Sequence, residues 1–209
     1  MYKLTVIPGK LRIIPIPVLV IAMAVAMGFV NLPKAYASAN DGIYVGLGLS
    51  NGSINSDFSA IGNQNSAGYF VLFGSPFAET WSFELEAGGL GDFDTGPTPN
   101  IFYPADSAYL TYINFGIRKS LWARSESNWT PWLAARYGYY YYGWNTFAYS
   151  LGGSGPSASF GIDLSLGNTS LLLRLKMDYH RFQVTDLYDY GPYQNTVNNF
   201  SSALIYQFD

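Results

Sequence analysis

Residues 171–180 read LLLRLKMDYH: Leu171, Leu173, Leu175, Met177 and Tyr179 alternate with Leu172, Arg174, Lys176, Asp178 and His180. On a helix both sets would be smeared around the circumference. On a strand, successive side chains point to opposite faces, so one face is apolar and the other carries the charges. The same period recurs along the chain. Ile43, Val45, Leu47 and Leu49 alternate with Tyr44, Gly46, Gly48 and Ser50 near 42–51, and Trp81, Phe83, Leu85 and Ala87 alternate with Ser82, Glu84, Glu86 and Gly88 near 80–89. Further alternating segments lie near 107–118, 131–141, 157–166 and 198–208, and 67–75 is apolar on both faces.

The pattern therefore predicts eight strands of about ten residues, the length at which a tilted strand crosses a bilayer. Open sheets cannot cross, because every backbone polar group needs a partner, so the strands must close. The predicted fold is all-β: an eight-stranded antiparallel up-and-down transmembrane β-barrel, apolar outside and polar inside. The connections agree. Links at 52–66, 90–106, 142–156 and 183–197 are long and rich in Gly, Asn, Ser and Pro, whereas SPFAET and GNTS are tight. Such barrels join their strands by short periplasmic turns and longer external loops. The link KSLWARSESNW is longer than a periplasmic turn needs. A soluble lipocalin-like barrel also alternates in phase, but it turns its apolar set inward.

The first 39 residues do not fit the pattern. Lys3, Lys10 and Arg12 precede an apolar run from Ile13 to Val30, followed by Ala35-Tyr36-Ala37 and Ala37-Ser38-Ala39. A basic start, an apolar stretch and A-x-A sites mark a secretory signal peptide. The expected division is a signal peptide at 1–39 and the barrel at 40–209. Residues 1–39 hold four of the chain's 11 basic residues and none of its 14 acidic ones, so their removal takes the net charge from −3 to −7. No basic patch remains for nucleic acid. The chain has 18% aromatic residues, only 12% charged residues and no cysteine, so an exported fold must find its stability without disulfides.

Trp81, Trp122, Trp129 and Trp132 fall at or beyond predicted periplasmic strand ends, and Tyr139, Tyr141 and Trp144 near an external end. Trp and Tyr favour the membrane–water boundary, so both groups are expected in aromatic girdles. The run YGYYYYGW is also compatible with a ligand-stacking platform.

The charges on the inward face are Glu84, Glu86, Asp163 and Asp178 against Arg118, Arg136, Arg174 and Lys176. Eight strands enclose a lumen just wide enough for side chains to fill, and buried charges must be paired. An ion-pair network that plugs the lumen is expected, with Asp163 meeting Arg174 across the GNTS turn and Glu86 meeting Arg136 across the interior. The same network, if rearranged, would gate a narrow pore. His180 is the single histidine, with Asp178 on the same face as its expected partner. The acidic segments GDFDTG and TDLYDYG match no calcium-loop spacing, so no metal and no cofactor are expected.

Eight strands, a signal peptide and an aromatic end resemble the small outer-membrane β-barrels of Gram-negative bacteria, such as the OmpA transmembrane domain, OmpX and opacity-type proteins. The final strand carries the local motif. Ser201, Ala203, Tyr206 and Phe208 occupy the polar, glycine and two aromatic positions of the strand that the outer-membrane assembly machinery reads in such proteins, with Ala203 in place of glycine and Asp209 after the last aromatic. The resemblance implies an outer-membrane location, a monomer, and outer-membrane lipid and the assembly machinery as partners. It implies a structural or surface-interaction role, with an extracellular ligand reached through the loops. A porin-like channel is the alternative. A lipid A-modifying enzyme is a third reading, but the deacylases of this type carry His-x-Ser where this chain reads His180-Arg181-Phe182.

Overall fold

The computed structural model describes residues 42–58, 61–94, 107–122, 128–144, 150–167, 169–185 and 192–208. The signal-peptide segment, residues 95–96 of GDFDTG and all of TDLYDYG except Thr185 lie outside these residues. Eight strands run in chain order: β1 Tyr44–Ser56, β2 Asn63–Ala78, β3 Trp81–Asp94, β4 Ser107–Ser120, β5 Trp129–Trp144, β6 Ser150–Ser165, β7 Leu171–Thr185 and β8 Pro192–Gln207. Each pairs antiparallel with the next, and β8 returns to β1 to close the barrel. The sheet closes on itself, which is the condition for crossing lipid.

The register sets the geometry. From Tyr44 the pairing passes through Gly74, Glu84, Gly116, Arg136, Ser157, His180 and Val197, and re-enters β1 at Ile54. One circuit therefore climbs ten residues (54 − 44) along β1. With a rise of ~3.3 Å per residue and strands ~4.7 Å apart, that stagger tilts eight strands by roughly 40°.

The turns at one end are tight. Glu79-Thr80 joins β2 to β3, and the β6–β7 turn places Gly167 at φ 68°, a left-handed conformation that glycine adopts without steric cost. In that turn the Leu171 amide donates to Thr169 Oγ1, which itself donates to the Leu166 carbonyl. The turn between β4 and β5 is the long one at this end, 121–128.

At the opposite end the strands are longer than the alternating pattern indicates, with 13 to 16 residues each. The expected long links shrink to 57–62, 95–106, 145–149 and 186–191. The reason is a reversal of polarity. Leu47 and Leu49 face outward, 69% and 70% exposed, but further along the same strand Ile54 is buried and Asn51 and Asn55 are exposed. Above the apolar belt the wall is polar outside and apolar inside, as in a soluble barrel, and such a stretch reads as loop in a sequence.

Candidate functional site

Among the described residues the lumen is where this fold gathers its charged groups, and it is stacked in three tiers. The lowest is ionic. Asp163 and Arg174 are directly paired across β6 and β7, and Arg174 grips the carboxylate at two points, 2.7 and 2.9 Å. Arg118 adds a contact to Asp163 at 2.9 Å. Arg174 also reaches Glu84 at 2.7 Å, Glu84 meets Arg136 at 2.5 Å, and Arg136 meets Asp178 at 3.4 Å. Lys176 then bridges Asp178 at 2.9 Å and Glu86 at 2.5 Å. All eight side chains join one chain of strictly alternating sign: Arg118, Asp163, Arg174, Glu84, Arg136, Asp178, Lys176, Glu86. None exceeds 7% exposure.

The alternation is what makes the burial tolerable. Removing an ion from water costs several kcal/mol, and one neighbour ~4 Å away returns about 4 kcal/mol at an effective dielectric of 20. A lone pair barely breaks even. Glu84, with three cations within 4.0 Å, does better. Neutral donors complete the shell: Tyr44 Oη donates to Glu84 at 2.7 Å, Tyr112 Oη to Glu86 at 3.2 Å, and Ser159 Oγ to Asp178 at 2.6 Å.

Three expectations are corrected here. Glu86 takes Lys176, not Arg136, because Arg136 lies level with Glu84 in the register and only Gly116 stands between them. Trp132 is not a girdle residue. It is 1% exposed inside the lumen, donates from Nε1 to Asp163 at 3.0 Å, and lays its ring against Arg174, 4.7 Å from the guanidinium. Gly161 opposite makes the room, since a Cβ there would sit 2.6 Å from the indole. His180 does not pair with Asp178, whose oxygens are occupied by Lys176, Arg136 and Ser159.

His180 belongs to a second, uncharged tier. Its Nδ1 lies 2.9 Å from Tyr140 Oη, which donates to Asn114 Oδ1 at 3.0 Å, and Asn199 Nδ2 faces Nε2 at 3.5 Å. The directions are consistent when Nδ1 carries the proton. Ser157 is the cross-strand neighbour of His180, but the histidine's close contact is tyrosine, and both residues are buried.

The third tier, toward the long connections, is apolar: Leu90, Phe93, Leu110, Tyr142, Leu151, Phe182 and Val184 pack with Ile54 and Val197. Tyr140 and Phe182 stack at 3.9 Å between centroids and 7° between planes. Phe58 and Ile61 fold in from the β1–β2 connection, 6% and 2% exposed, and join this cluster. The sequence signal for this tier was present in Ile54, Phe182 and Val184, but the inverted phase hid it. A second apolar cluster, including Phe70, Leu72, Leu172 and Ile205, fills the side of the lumen facing the ion chain. The cavity at the turn end is about 30 Å³, room for a water molecule or two.

Of the last-strand residues, Ser201 and Ala203 face the lumen, whereas Tyr206 and Phe208 face outward with rings 4.9 Å apart and near perpendicular. Trp81, Trp129, Tyr139 and Tyr141 are outward-facing as well. Lys119 Nζ lies 4.9 Å from the Trp81 ring, and Trp122 and Trp129 pack edge to face at 4.7 Å. Among the described residues, no three His, Asp or Glu side chains converge as a metal site.

The sequence matches no protein-family model and no curated protein. The structure resembles Neisserial surface protein A, with a TM-score of 0.62 at 13% identity, over 80% of this chain and 97% of that one. It also resembles OprG of Pseudomonas aeruginosa, TM-score 0.54, 13% identity, over 80% and 96%. A third similar structure is Ail, the attachment invasion locus protein of Yersinia pestis, in complex with the heparin analogue sucrose octasulfate, TM-score 0.52, 11% identity, over 80% and 99%. The closed sheet, the outward apolar belt and these likenesses agree: the chain has the fold of the small eight-stranded outer-membrane β-barrels of Gram-negative bacteria.

Proposed function

We propose that this chain is a monomeric outer-membrane β-barrel with a closed lumen, acting through its outer wall and external connections in envelope integrity or surface interaction. The observation that carries the reading is the stacking of tiers. The ionic chain ends below an apolar tier stoppered by Phe58 and Ile61, so among the described residues a hydrated path along the charges has no continuation. Tyr206 and Phe208, outward at the end of the last strand, are the residues the assembly machinery would read. A narrow channel remains the competing reading, because the ion chain supplies a polar column over the lower part of the lumen. Purified protein in planar bilayers tests the two. Absence of single-channel steps is expected; stable steps that Arg174→Leu alters would establish the channel instead.

A further inference from the structure

Lys176 is the one lysine in the chain of buried charges; its other three cations are arginines. Lys176 Nζ lies 2.5 Å from Glu86 Oε2 and 2.9 Å from Asp178 Oδ2. Lys176, Glu86 and Asp178 are 2%, 0% and 4% exposed. The Phe70 ring stands 4.3 Å from Nζ on the apolar side of the lumen. At the other oxygen of Glu86, Tyr112 Oη donates to Oε1 at 3.2 Å. An amine, an acyl carbon, a second carboxylate and a hydroxyl donor to the carbonyl oxygen meet here, away from bulk water. Those are the parts that condense an amine and an acid into an amide.

We propose that Lys176 and Glu86 join in an intramolecular isopeptide bond, a covalent strap across the lumen. A proton passes from Nζ to Oε2 along the 2.5 Å contact, which turns ammonium and carboxylate into amine and acid. A buried, desolvated lysine amine is a competent nucleophile. A carbonyl bond is ~1.23 Å, so Nζ lies no farther than about 3.7 Å from Glu86 Cδ, near the distance of attack. Nζ bonds to Cδ, and the C=O electron pair moves onto Oε1, where the Tyr112 hydroxyl donates to it. Asp178 takes a second proton from Nζ and delivers it to Oε2. The pair on Oε1 re-forms the carbonyl, the Cδ–Oε2 bond breaks, and Oε2 leaves as water. Two of the three ammonium protons depart in that water, the third stays on the amide nitrogen, and Asp178 ends as it began.

Charge balance singles out this pair. Glu86 ends the alternating chain, and among the described residues its one ion pair is with Lys176. Asp178 also holds Arg136 and accepts from Ser159. Condensing Lys176 with Glu86 removes one cation and one anion from the end of the chain. Arg118, Asp163, Arg174, Glu84, Arg136 and Asp178 remain, three of each sign and still alternating. Condensing Lys176 with Asp178 would instead strand Glu86 as an anion without a cation, which is costly in a buried place. An arginine cannot replace the lysine, because its guanidinium stays protonated. β3 and β7 stand four strands apart in a barrel of eight, on opposite walls, so the bond ties the lumen across its width. It closes residues 86–176 into a loop, the constraint a disulfide would impose, in a chain that has no cysteine. Holding the two groups in contact raises their effective concentration to about 10⁵–10⁸ M, which offsets the cost of releasing water.

The test is intact-mass spectrometry of the refolded full chain beside the same chain held unfolded in guanidinium chloride. Folded wild type is expected to be lighter than the unfolded chain by the mass of one water. Its tryptic digest is expected to hold a branched peptide that joins Glu86 to Lys176, and after boiling it should run ahead of a linear chain on a denaturing gel. Lys176→Arg keeps the cation but has no amine to react, so it should retain the full mass, whereas Lys119→Arg should lose water like wild type. Heat-modifiable mobility reports whether each variant folds, and the wild-type mass decides even where Lys176→Arg does not. Folded wild type at full mass would overturn the proposal, as would a water lost equally by Lys176→Arg or a branch at any carboxylate other than Glu86. The closed-lumen reading stands or falls on conductance, independently of this result.

Discussion

Arg136 reaches Glu84 over Gly116: the guanidinium stands 2.5 Å from the carboxylate, and the residue between them in the register has no side chain. The contact explains why a glycine occupies an inward position of a central strand, where it costs stability by itself. The absent Cβ is the passage through which one strand's cation meets another's anion, two strands away.

Gly116→Ala is therefore expected to fail. Its Cβ would lie 2.1 Å from the Ala135 carbonyl oxygen and 2.6 Å from the Arg136 Cα, and backbone cannot step aside. The folded, heat-modifiable band on a cold gel should be lost. Gly152→Ala, whose Cβ meets nothing within 4 Å, should fold like wild type.

Arg174→Leu removes the cation that joins Asp163 to Glu84. Breaking a buried pair costs about 3–5 kcal/mol, and the remaining contacts of Asp163 with Arg118 and of Glu84 with Arg136 hold the loss toward the lower end. Urea unfolding in detergent micelles measures it. The double variant Arg174→Leu/Asp163→Leu should recover part of the loss, since no carboxylate is then left short of a partner. An unchanged midpoint in the single variant would count against the network as a source of order.

Salt distinguishes buried from surface pairing. At about 1 M salt the Debye length is about 3 Å and exposed pairs are screened, but ions with less than a tenth of their surface exposed are not reached. The unfolding midpoint should hold steady between low and high sodium chloride, whereas a solvated column would lose stability.

Phe182→Ala tests the apolar tier. Phe182 is 1% exposed and stacked on Tyr140, so truncation should cost about 3–5 kcal/mol. It should also leave the ion pairs intact. Conductance appearing in this variant alone would identify the apolar tier as the seal.

Much of this was legible in the sequence. The strand count, the phase of every membrane segment except the doubly apolar 67–75, and the equal number of buried acids and bases follow from period-two alternation, which is a local property. Asp163 and Arg174 were also legible as partners, because a tight turn ties their depths together. Glu86 and Trp132 were not. Their neighbours come from strands distant in sequence, at heights set by the stagger of the whole barrel, and no local pattern encodes that number. The upper wall was misread as loop because its alternation is inverted: Asn51, Ser53 and Asn55 outside with Ile54 inside look like a polar link until the ladder to Asn63–Ala67 is seen.

What the sequence by itself determined, wherever one face of a segment is polar, is which set of residues turns inward and which outward, because side-chain direction on a strand depends on parity alone. What only the tertiary structure decided is who meets whom across the lumen. Closing eight strands with a ten-residue climb brings Arg136 level with Glu84, puts Trp132 beneath the guanidinium of Arg174, and carries the strands past the bilayer into a zone where the same alternation faces a different solvent.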